Sequence, residues 1–351
     1  MTGAEILIES LLKENVQVIF GIPGGAILPI FDALYDVKDK IHFILTRHEQ
    51  GAGHMADGYA RATGKVGVCI ATSGPGASNL TTALGTAYMD SIPVVAFTGQ
   101  VATSLIGNDA FQESDVAGIV RSVTKHNFSI KDVKDLAKSI KEAFYIASTG
   151  RQGPVVVDIP IDVQNNSCNF IWPKDVNIRS YHPYHKGHTG QIKKAAELIN
   201  AAEKPLIYAG GGIIASGASN EIKLLAEKIQ SPVTTTLMAL GVMDYHHPLN
   251  IHMPGMYGNR TANTAFQHCD VIIAIGARFD DRVTGNVKKF APQAKIIHID
   301  IDTASIAKNV SVDIPIVGDA KEVTLNLLKY LNTKQHKKLE LNLPVLKKWL
   351  Y

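Results

Sequence analysis

Residues 45–61 read LTRHEQGAGHMADGYAR. One acid, Glu49, stands where the apolar run IHFIL gives way to small residues, with His48 and His54 close by. A carboxyl group at the mouth of a strand is placed to exchange a proton with a ligand. Three glycine-bearing stretches follow other apolar runs. They are Gly21-Ile22-Pro23-Gly24-Gly25-Ala26, Ser73-Gly74-Pro75-Gly76-Ala77-Ser78-Asn79, and Gly99-Gln100-Val101, which leads on to Asp109-Ala110-Phe111-Gln112-Glu113. Glycine lets backbone approach a ligand closely. SGPG at a helix start offers backbone N–H groups to a phosphate, although the GK[ST] ending of a P-loop is missing. Ordinary strand-to-helix turns are the plain alternative for each loop.

The second half has its own glycine run, Gly210-Gly211-Gly212-Ile213-Ile214-Ala215, between an apolar run and a helical pattern. This fits the GxGxxA form of a dinucleotide fingerprint. The following strand, PVTTT, ends in threonines and not in the acid that would take a nicotinamide ribose, so standard NAD binding is disfavoured. Asp300 and Asp302 supply acids later, and Arg278-Phe279-Asp280-Asp281-Arg282 is either a salt-bridged surface loop or an anion contact. His182, His185 and His188 lie in an aperiodic stretch with no cysteine or acid at ligand spacing, so no metal site is expected there.

The elements that position these loops alternate. VQVIFGI, IHFILT, VGVCIAT, IPVVAFTG and GPVVVDIP read as strands, separated by the helical patterns AILPIFDALYD, QGAGHMADGYARAT, ASNLTTALGTAYM and VKDLAKSIKEAFYIAS. The polar, proline-containing stretch 165–189 breaks the pattern. It then resumes with strands PLIYAGGG, PVTTT, VIIAIGA and KIIHIDID between helices and closes with AKEVTLNLLKYL. The expected fold is α/β, with two doubly wound parallel-sheet domains at 1–165 and 190–332, a linker at 166–189 and a basic tail at 333–351. Ligands in such sheets sit at the carboxyl ends of the strands.

Bulk properties narrow the function. With 46% hydrophobic and 19% charged residues the chain can bury two cores. A net charge of +3 without a basic, aromatic-interleaved stripe argues against nucleic acid. Cys69, Cys168 and Cys269 are odd in number and far apart, which suits a reducing compartment. The N-terminus reads as an amphipathic helix and no run approaches a membrane span, so a cytoplasmic protein is expected, with no membrane partner.

In this order, FGIPGGAILPIFDAL, RHEQGAGHMADGYARATGKVGV, TSGPGASNL, IGNDAFQE, TKHNF, GPVVVDIP, TLMALG, RFDDRVTG and HIDID closely resemble the acetolactate synthase catalytic subunits, which are thiamine-diphosphate enzymes. RHEQGAGHMADGYAR marks the wider thiamine-diphosphate group, and DAFQE with RFDDRVTG points to acetolactate synthases within it. The resemblance implies a thiamine-diphosphate pyrimidine-binding domain followed by a central FAD-binding domain. It implies decarboxylating condensation of pyruvate with pyruvate or 2-ketobutyrate, on the route to valine, leucine and isoleucine. It implies thiamine diphosphate, FAD and Mg²⁺ as cofactors, a homodimer or larger assembly through residues 1–165, and room for a regulatory small subunit.

The resemblance also assigns residues. Glu49 would contact N1′ of the aminopyrimidine, favouring the 4′-imino tautomer that takes the C2 proton; a dry pocket would suit such a carboxyl group. Gly25 would lie over the reacting centre, with Pro75 and Asn79 lining the pyrimidine pocket. Phe111 and Gln112 would line the substrate site, Gln112 counting with Glu49 and Gly25 as catalytic. Arg282 would attract the 2-ketoacid carboxylate. The flavin site would draw on Arg151, on Gly211 and Gly212, and on Thr236 and Leu237. Gly255, Met256 and Tyr257 would join it, then Gly276 and Arg278, and the run Asp281, Arg282 and Val283. Asp300 and Ile301, with Gly318 and Asp319, would complete it.

Four positions depart from the family pattern: Ala102 and Ser104 after GQV, Ile161 in VDIPIDV, and Tyr257. The first three put substrate preference and inhibitor sensitivity in doubt. Length departs too: the family's third domain, whose GDG…N motif holds Mg²⁺ and the diphosphate, is expected to be absent from 1–351, leaving the chain inactive alone. Two alternatives stay open, a non-catalytic FAD-binding remnant or assembly partner, and a related thiamine-diphosphate decarboxylase or carboligase. The intact Glu49 argues against glyoxylate carboligase, which typically lacks that acid.

Overall fold

The structure is a computed structural model and describes residues 1–334. The described chain divides into two compact units, Met1–His182 and the part from Pro183 onward.

In the first unit the strands are β1 (Val18–Gly21), β2 (His42–Leu45), β3 (Gly67–Ala71), β4 (Val94–Gln100), β5 (His126–Ser129) and β6 (Val155–Pro160). They form one sheet in the order β2-β1-β3-β4-β6-β5, with every pairing parallel. Helices α1 (Gly3–Lys13), α2 (Leu28–Tyr35), α3 (Glu49–Thr63), α4 (Pro75–Ser78), α5 (Thr81–Asp90), α6 (Val116–Val120), α7 (Val133–Ser148) and α8 (Ile161–Asn165) connect them. Central strands β3, β4 and β6 are buried along their whole length, which is why they read as unbroken apolar runs.

Two expectations change here. The sheet has a sixth strand, β5, a half-exposed edge with the sequence HNFS. ASNLTTALGTAYM is not one helix, because the chain breaks between α4 and α5 at Asn79 and Leu80. The segment after α8 is aperiodic, as its composition suggests. Phe170, Trp172, Ile178 and Tyr181 nevertheless pack on the first core. The Lys125 ammonium group donates to the carbonyls of Ile146 and Thr149 and to the Tyr181 hydroxyl at 2.5–2.6 Å, tying the segment down.

In the second unit the strands are β7 (Pro205–Ala209), β8 (Val233–Thr235), β9 (Val271–Ile275), β10 (Lys295–Asp300) and β11 (Ile314–Val317). Their order is β11-β10-β9-β7-β8, again all parallel. The helices are α9 (Thr189–Ala201), α10 (Gly211–Ala215), α11 (Ser219–Ile229), α12 (Arg260–His268), α13 (Asp281–Thr284) and α14 (Ala320–Leu328). Strand β11, with Pro315 inside it, is another edge that the alternation did not announce. Of the tail at 333–351, all but its first two residues, Trp349 included, lies outside the described residues.

Both sheets switch direction at the same place. The chain goes from β1 to β2 on one side and then to β3 on the other, and likewise from β7 to β8 and then to β9. The crevices beyond β1/β3 and β7/β9 are where an open parallel sheet receives a ligand.

Candidate active site

In the first unit four loops meet at the carboxyl ends of the strands, and Thr72 joins the third to the first. Its Oγ1 accepts a hydrogen bond from the Ala26 N–H at 3.3 Å. A Cβ on Gly24 would come within 2.6 Å of the Thr72 side chain, and one on Gly76 within 2.7 Å of it and 3.2 Å of Glu49 Oε1. The first loop therefore closes on the third because position 24 is glycine, and the third folds back beneath Glu49 because position 76 is glycine.

Glu49 is the first residue of α3, and His48 Nδ1 caps that helix by accepting from the Gln50 N–H. The break after α4 leaves Asn79 as its C-cap, and Asn79 Nδ2 donates to Glu49 Oε2 at 2.9 Å. Glu49 thus has one oxygen held by an amide and the other against Gly76. The pocket is less dry than expected: Glu49 is half-buried, so within this chain the carboxyl group stays in reach of solvent and ligand. Pro75 is exposed beside the pair, and a Cβ on the exposed Gly25 would meet nothing within 4 Å.

The fourth loop arrives from the other side. Gly74, at φ +53°, has the Gln112 carbonyl oxygen 2.4 Å from where its Cβ would be. Gln112 itself is left-handed at φ +59°, with Asp109 at +53° and Gly107 at +85°. The Glu113 carboxylate clasps this loop by accepting from the Gly107 and Ala110 N–H groups, which lowers its pKa. Phe111 is 88% exposed and the Gln112 side chain is also outward. Glu49, Asn79, Pro75, the Gly25 loop and the Gln112 loop are therefore one constellation.

Three of the four departures also meet. The Thr103 N–H and hydroxyl donate to the Asp162 carboxylate, at 3.0 Å for the N–H, so Ala102, Ser104 and Ile161 flank one junction. Partial burial raises the Asp162 pKa, but the Thr103 hydrogen bonds outweigh it and the net shift is downward.

Sequence reasoning passed over Thr72 and Gln164. Gln164 is fully buried, and its Nε2 donates to the Ala26 and Ile159 carbonyls at 2.8 Å each. Thr72 stood in TSGPG, where a β-branched side chain ahead of two glycines was the available signal. Nothing in sequence spacing announces Gln164, which acts across 138 residues.

In the second unit the crevice is built from backbone. The Gly210 N–H donates to the Ile275 carbonyl at 2.9 Å and the Gly212 N–H to the Gly276 carbonyl at 3.2 Å. A Cβ on Gly210 would stand 2.0 Å from the Gly276 oxygen, and Gly276, at φ +60°, has Gly212 Cα 2.7 Å from its own Cβ position. Gly211 faces Met238, and the Thr236 N–H donates to the Ala209 carbonyl at 2.9 Å. Thr236 Oγ1 is buried without a partner. Leu237, Met256 and Tyr257 are exposed on this unit.

Gly255, at φ +97°, lies against the Arg282 carbonyl and Val283, and the Met256 N–H donates to that same carbonyl at 2.8 Å. The Arg282 guanidinium is exposed, 3.7 Å from Asp281. The Arg278 carbonyl accepts from Asn309 Nδ2. At the end of β10, Asp300 Oδ1 accepts from the Asp302 N–H beside the half-buried Ile301, and the Asp300 carbonyl accepts from the Gly318 N–H. Asp319 caps α14 by accepting from the Lys321 and Glu322 N–H groups, so Gly318-Asp319-Ala320 is a strand-to-helix turn. Arg151 belongs to the first unit, where its Nε donates to Ser91 Oγ at 2.9 Å.

Among the described residues no group of three or more His, Cys, Asp or Glu side chains is gathered to hold a metal ion, and no helix is long and apolar enough to cross a membrane. His188, of the histidine run, caps α9 with its Nδ1.

Residues 1–119 match the thiamine pyrophosphate enzyme N-terminal TPP binding domain, and residues 192–327 the thiamine pyrophosphate enzyme central domain. The chain is 56% identical over 337 residues to the acetolactate synthase large subunit of Buchnera aphidicola subsp. Schizaphis graminum, covering 95% of this chain and 59% of that protein. It is 57% identical over 334 residues to the probable acetolactate synthase large subunit of Methanocaldococcus jannaschii, covering 94% and 56%. The corresponding figures for the Corynebacterium glutamicum acetolactate synthase large subunit are 54% over 329 residues, 94% and 52%. The chain therefore spans a little over half the length of these relatives.

Proposed function

Because the chain belongs to the thiamine pyrophosphate enzymes, we propose that residues 1–351 form the acid-bearing and flavin-bearing portion of an acetolactate synthase large subunit. Its reaction would join two 2-ketoacids, pyruvate with pyruvate or with 2-ketobutyrate, releasing one carbon dioxide. The observation that carries this reading is the Glu49–Asn79 pair, held at 2.9 Å above Gly76 in the β1/β3 crevice.

Bound thiamine pyrophosphate supplies an acidic thiazolium carbon that becomes a nucleophile for the ketoacid carbonyl. The chain's own residues prepare that chemistry. Glu49 holds and releases a proton at a pyrimidine ring nitrogen, and Asn79 fixes the orientation of its carboxyl group. Gly25 and Pro75 leave room for the rings. Phe111 and Gln112, exposed on the loop seated against Gly74, would be the substrate contacts, and the exposed Arg282 of the second unit carries a fork suited to a carboxylate.

The second crevice fits a dinucleotide such as FAD. Its glycines let the ends of β7 and β9 close backbone to backbone where a Cβ would collide, and Thr236 Oγ1 is a buried polar atom without a partner in the protein. Gly211, at the start of α10, would meet the pyrophosphate, Gly212 and Gly276 would let the two strand ends close beneath it, and Leu237, Met256 and Tyr257 would form an apolar rim. Mg²⁺ and the thiamine diphosphate group would be held by the part of the large subunit that lies beyond the match. Assembly as a homodimer or larger and a regulatory small subunit are further parts of the proposal, as is a place in the cytoplasm.

The test is acetolactate formation from pyruvate with thiamine diphosphate, Mg²⁺ and FAD. The chain is assayed alone and mixed with the remaining C-terminal portion of one of the relatives, each beside Glu49→Gln. Turnover that needs the added portion and disappears with Glu49→Gln is expected, with yellow flavin retained throughout. Turnover that survives Glu49→Gln would sink the assignment of the acid. Flavin retention with no turnover in the mixture would favour the non-catalytic reading.

A further inference from the structure

The reaction proposed above does not use Asp158, a buried carboxyl group only 6% exposed near the end of β6. It faces Thr98 across the β4–β6 pairing, and Oδ1 accepts from the Thr98 hydroxyl at 2.6 Å. Its Oδ2 accepts from Gln100 Nε2 at 3.1 Å. Gln100 is 3% exposed and both polar atoms of its amide are engaged. Nε2 also donates to the Ser114 carbonyl at 2.9 Å, and Oε1 accepts from the Val101 N–H at 2.9 Å. Only this orientation of the amide satisfies a carboxylate, a carbonyl and an N–H together.

Ser114 is two residues beyond Gln112. Its own Oγ is buried without a partner, so its backbone carbonyl is the bonded part. On the near side, the Gln112 carbonyl is seated where Gly74 lacks a Cβ. The loop is thus pinned by backbone at 112 and 114, while the side chains of Phe111 and Gln112 stand outward. A chain held by its carbonyls and free at its side chains is suited to presenting those side chains.

We propose that Asp158 and Gln100 are positioning residues: Asp158 orients the Gln100 amide, and Gln100 holds the 107–114 loop at Ser114 so that Phe111 and Gln112 stand over the Glu49 crevice. The functional part rests on the reading of Gln112 as a substrate contact; the mechanical part does not. Packing alone would be served by any side chains of the same volume. The hydrogen-bond relay predicts that geometry of donors and acceptors, not volume, is what matters.

The test is cleavage by chymotrypsin after Phe111, located by mass spectrometry, on the full chain. Phe111 is exposed, but cleavage requires the loop to leave its seat. Gln100→Met keeps the volume and loses the amide, and should speed that cut roughly tenfold or more relative to cuts elsewhere, with a lowered thermal midpoint from the buried groups left unpaired. Gln100→Asn keeps an amide too short to span Asp158 and Ser114, and should behave the same way if the Met variant folds poorly. Asp158→Asn can still accept from Gln100 and bond Thr98, so it should keep the wild-type rate within about twofold. An unchanged cut in both Gln100 variants overturns the proposal, as does an Asp158→Asn loop that opens like Gln100→Met. Cleavage is read without turnover. A positive loop result beside a Gln112→Ala enzyme with unaltered acetolactate formation would therefore fault the substrate reading alone.

Discussion

In the first sheet the β1/β3 crevice is closed by side chain on glycine: Gly24 and Gly76 against Thr72, with Glu49 and Asn79 bonded above. In the second sheet the β7/β9 crevice is closed by backbone on backbone, Gly210 and Gly212 against Gly276. The strand orders place both crevices at the same topological point. The difference separates two tasks. Contacts through side chains leave titratable groups exposed to a ligand, which suits proton transfer. Contacts through peptide groups fix the backbone rigidly and contribute no acid, which suits a ligand held by shape.

The largest effect should come from the acid. Glu49→Gln should lower acetolactate formation in the assembled enzyme by roughly a thousandfold or more. Flavin retention and the thermal midpoint should hold, because only one partly exposed hydrogen bond changes. Loss of flavin together with activity would mean that the two crevices are not separable.

Next comes Gly276→Ala. The new methyl group meets Gly212 Cα at 2.7 Å from a left-handed backbone, and neither backbone can retreat cheaply. Strain and overpacking together should cost roughly 4 kcal/mol. Calorimetry should show the second unit melting earlier, with flavin lost and the first unit's transition in place.

The third prediction concerns pH. Burial raises the Asp158 pKa to about 6 from 3.8, against the opposing hydrogen bonds from Thr98 and Gln100, and the nearby Asp115 adds to the rise. A carboxyl group whose folded pKa is raised favours the fold below its unfolded value, and that contribution is lost as pH rises through 6. The first unit should therefore lose at most roughly 3 kcal/mol from Asp158 between pH 4 and 7. Asp158→Asn should remove that slope, read as the difference between the two proteins' denaturation midpoints across the range. Equal slopes would mean that Asp158 does not titrate in the fold.

What the sequence made legible follows the same division. Strands buried on both faces, such as VGVCIAT and VIIAIGA, declare themselves by composition, and the loops after them carry glycines at visible spacing. Two of the four edges did not, while β2 and β8 did: HNFS is polar and IPIV contains a proline, which a strand with a free side tolerates. The break that frees Asn79 to face Glu49 falls among Ser78, Asn79, Thr81 and Thr82, poor helix formers inside a pattern whose apolar spacing still reads as one helix. Links such as Gln100 to Ser114, or Gln164 to Ala26, join residues that only the folded sheet brings together, and no period in the chain encodes them.

The smallest predicted effect on stability tests the first crevice most directly. Gly24 and Gly25 are neighbours with opposite surroundings. A Cβ at 24 would press on Thr72 at 2.6 Å, whereas a Cβ at 25 would meet nothing within 4 Å, and Gly25 is not left-handed. Gly25→Ala should therefore change stability by no more than about 0.5 kcal/mol, while Gly24→Ala should cost roughly 1–3 kcal/mol. If the space at Gly25 is the room a cofactor ring and substrate need, the Ala variant should keep its thermal midpoint and still lose turnover in the assembled enzyme. A fully active Gly25→Ala enzyme would move the reacting centre away from the first loop and leave Glu49 and Asn79 to define the site alone.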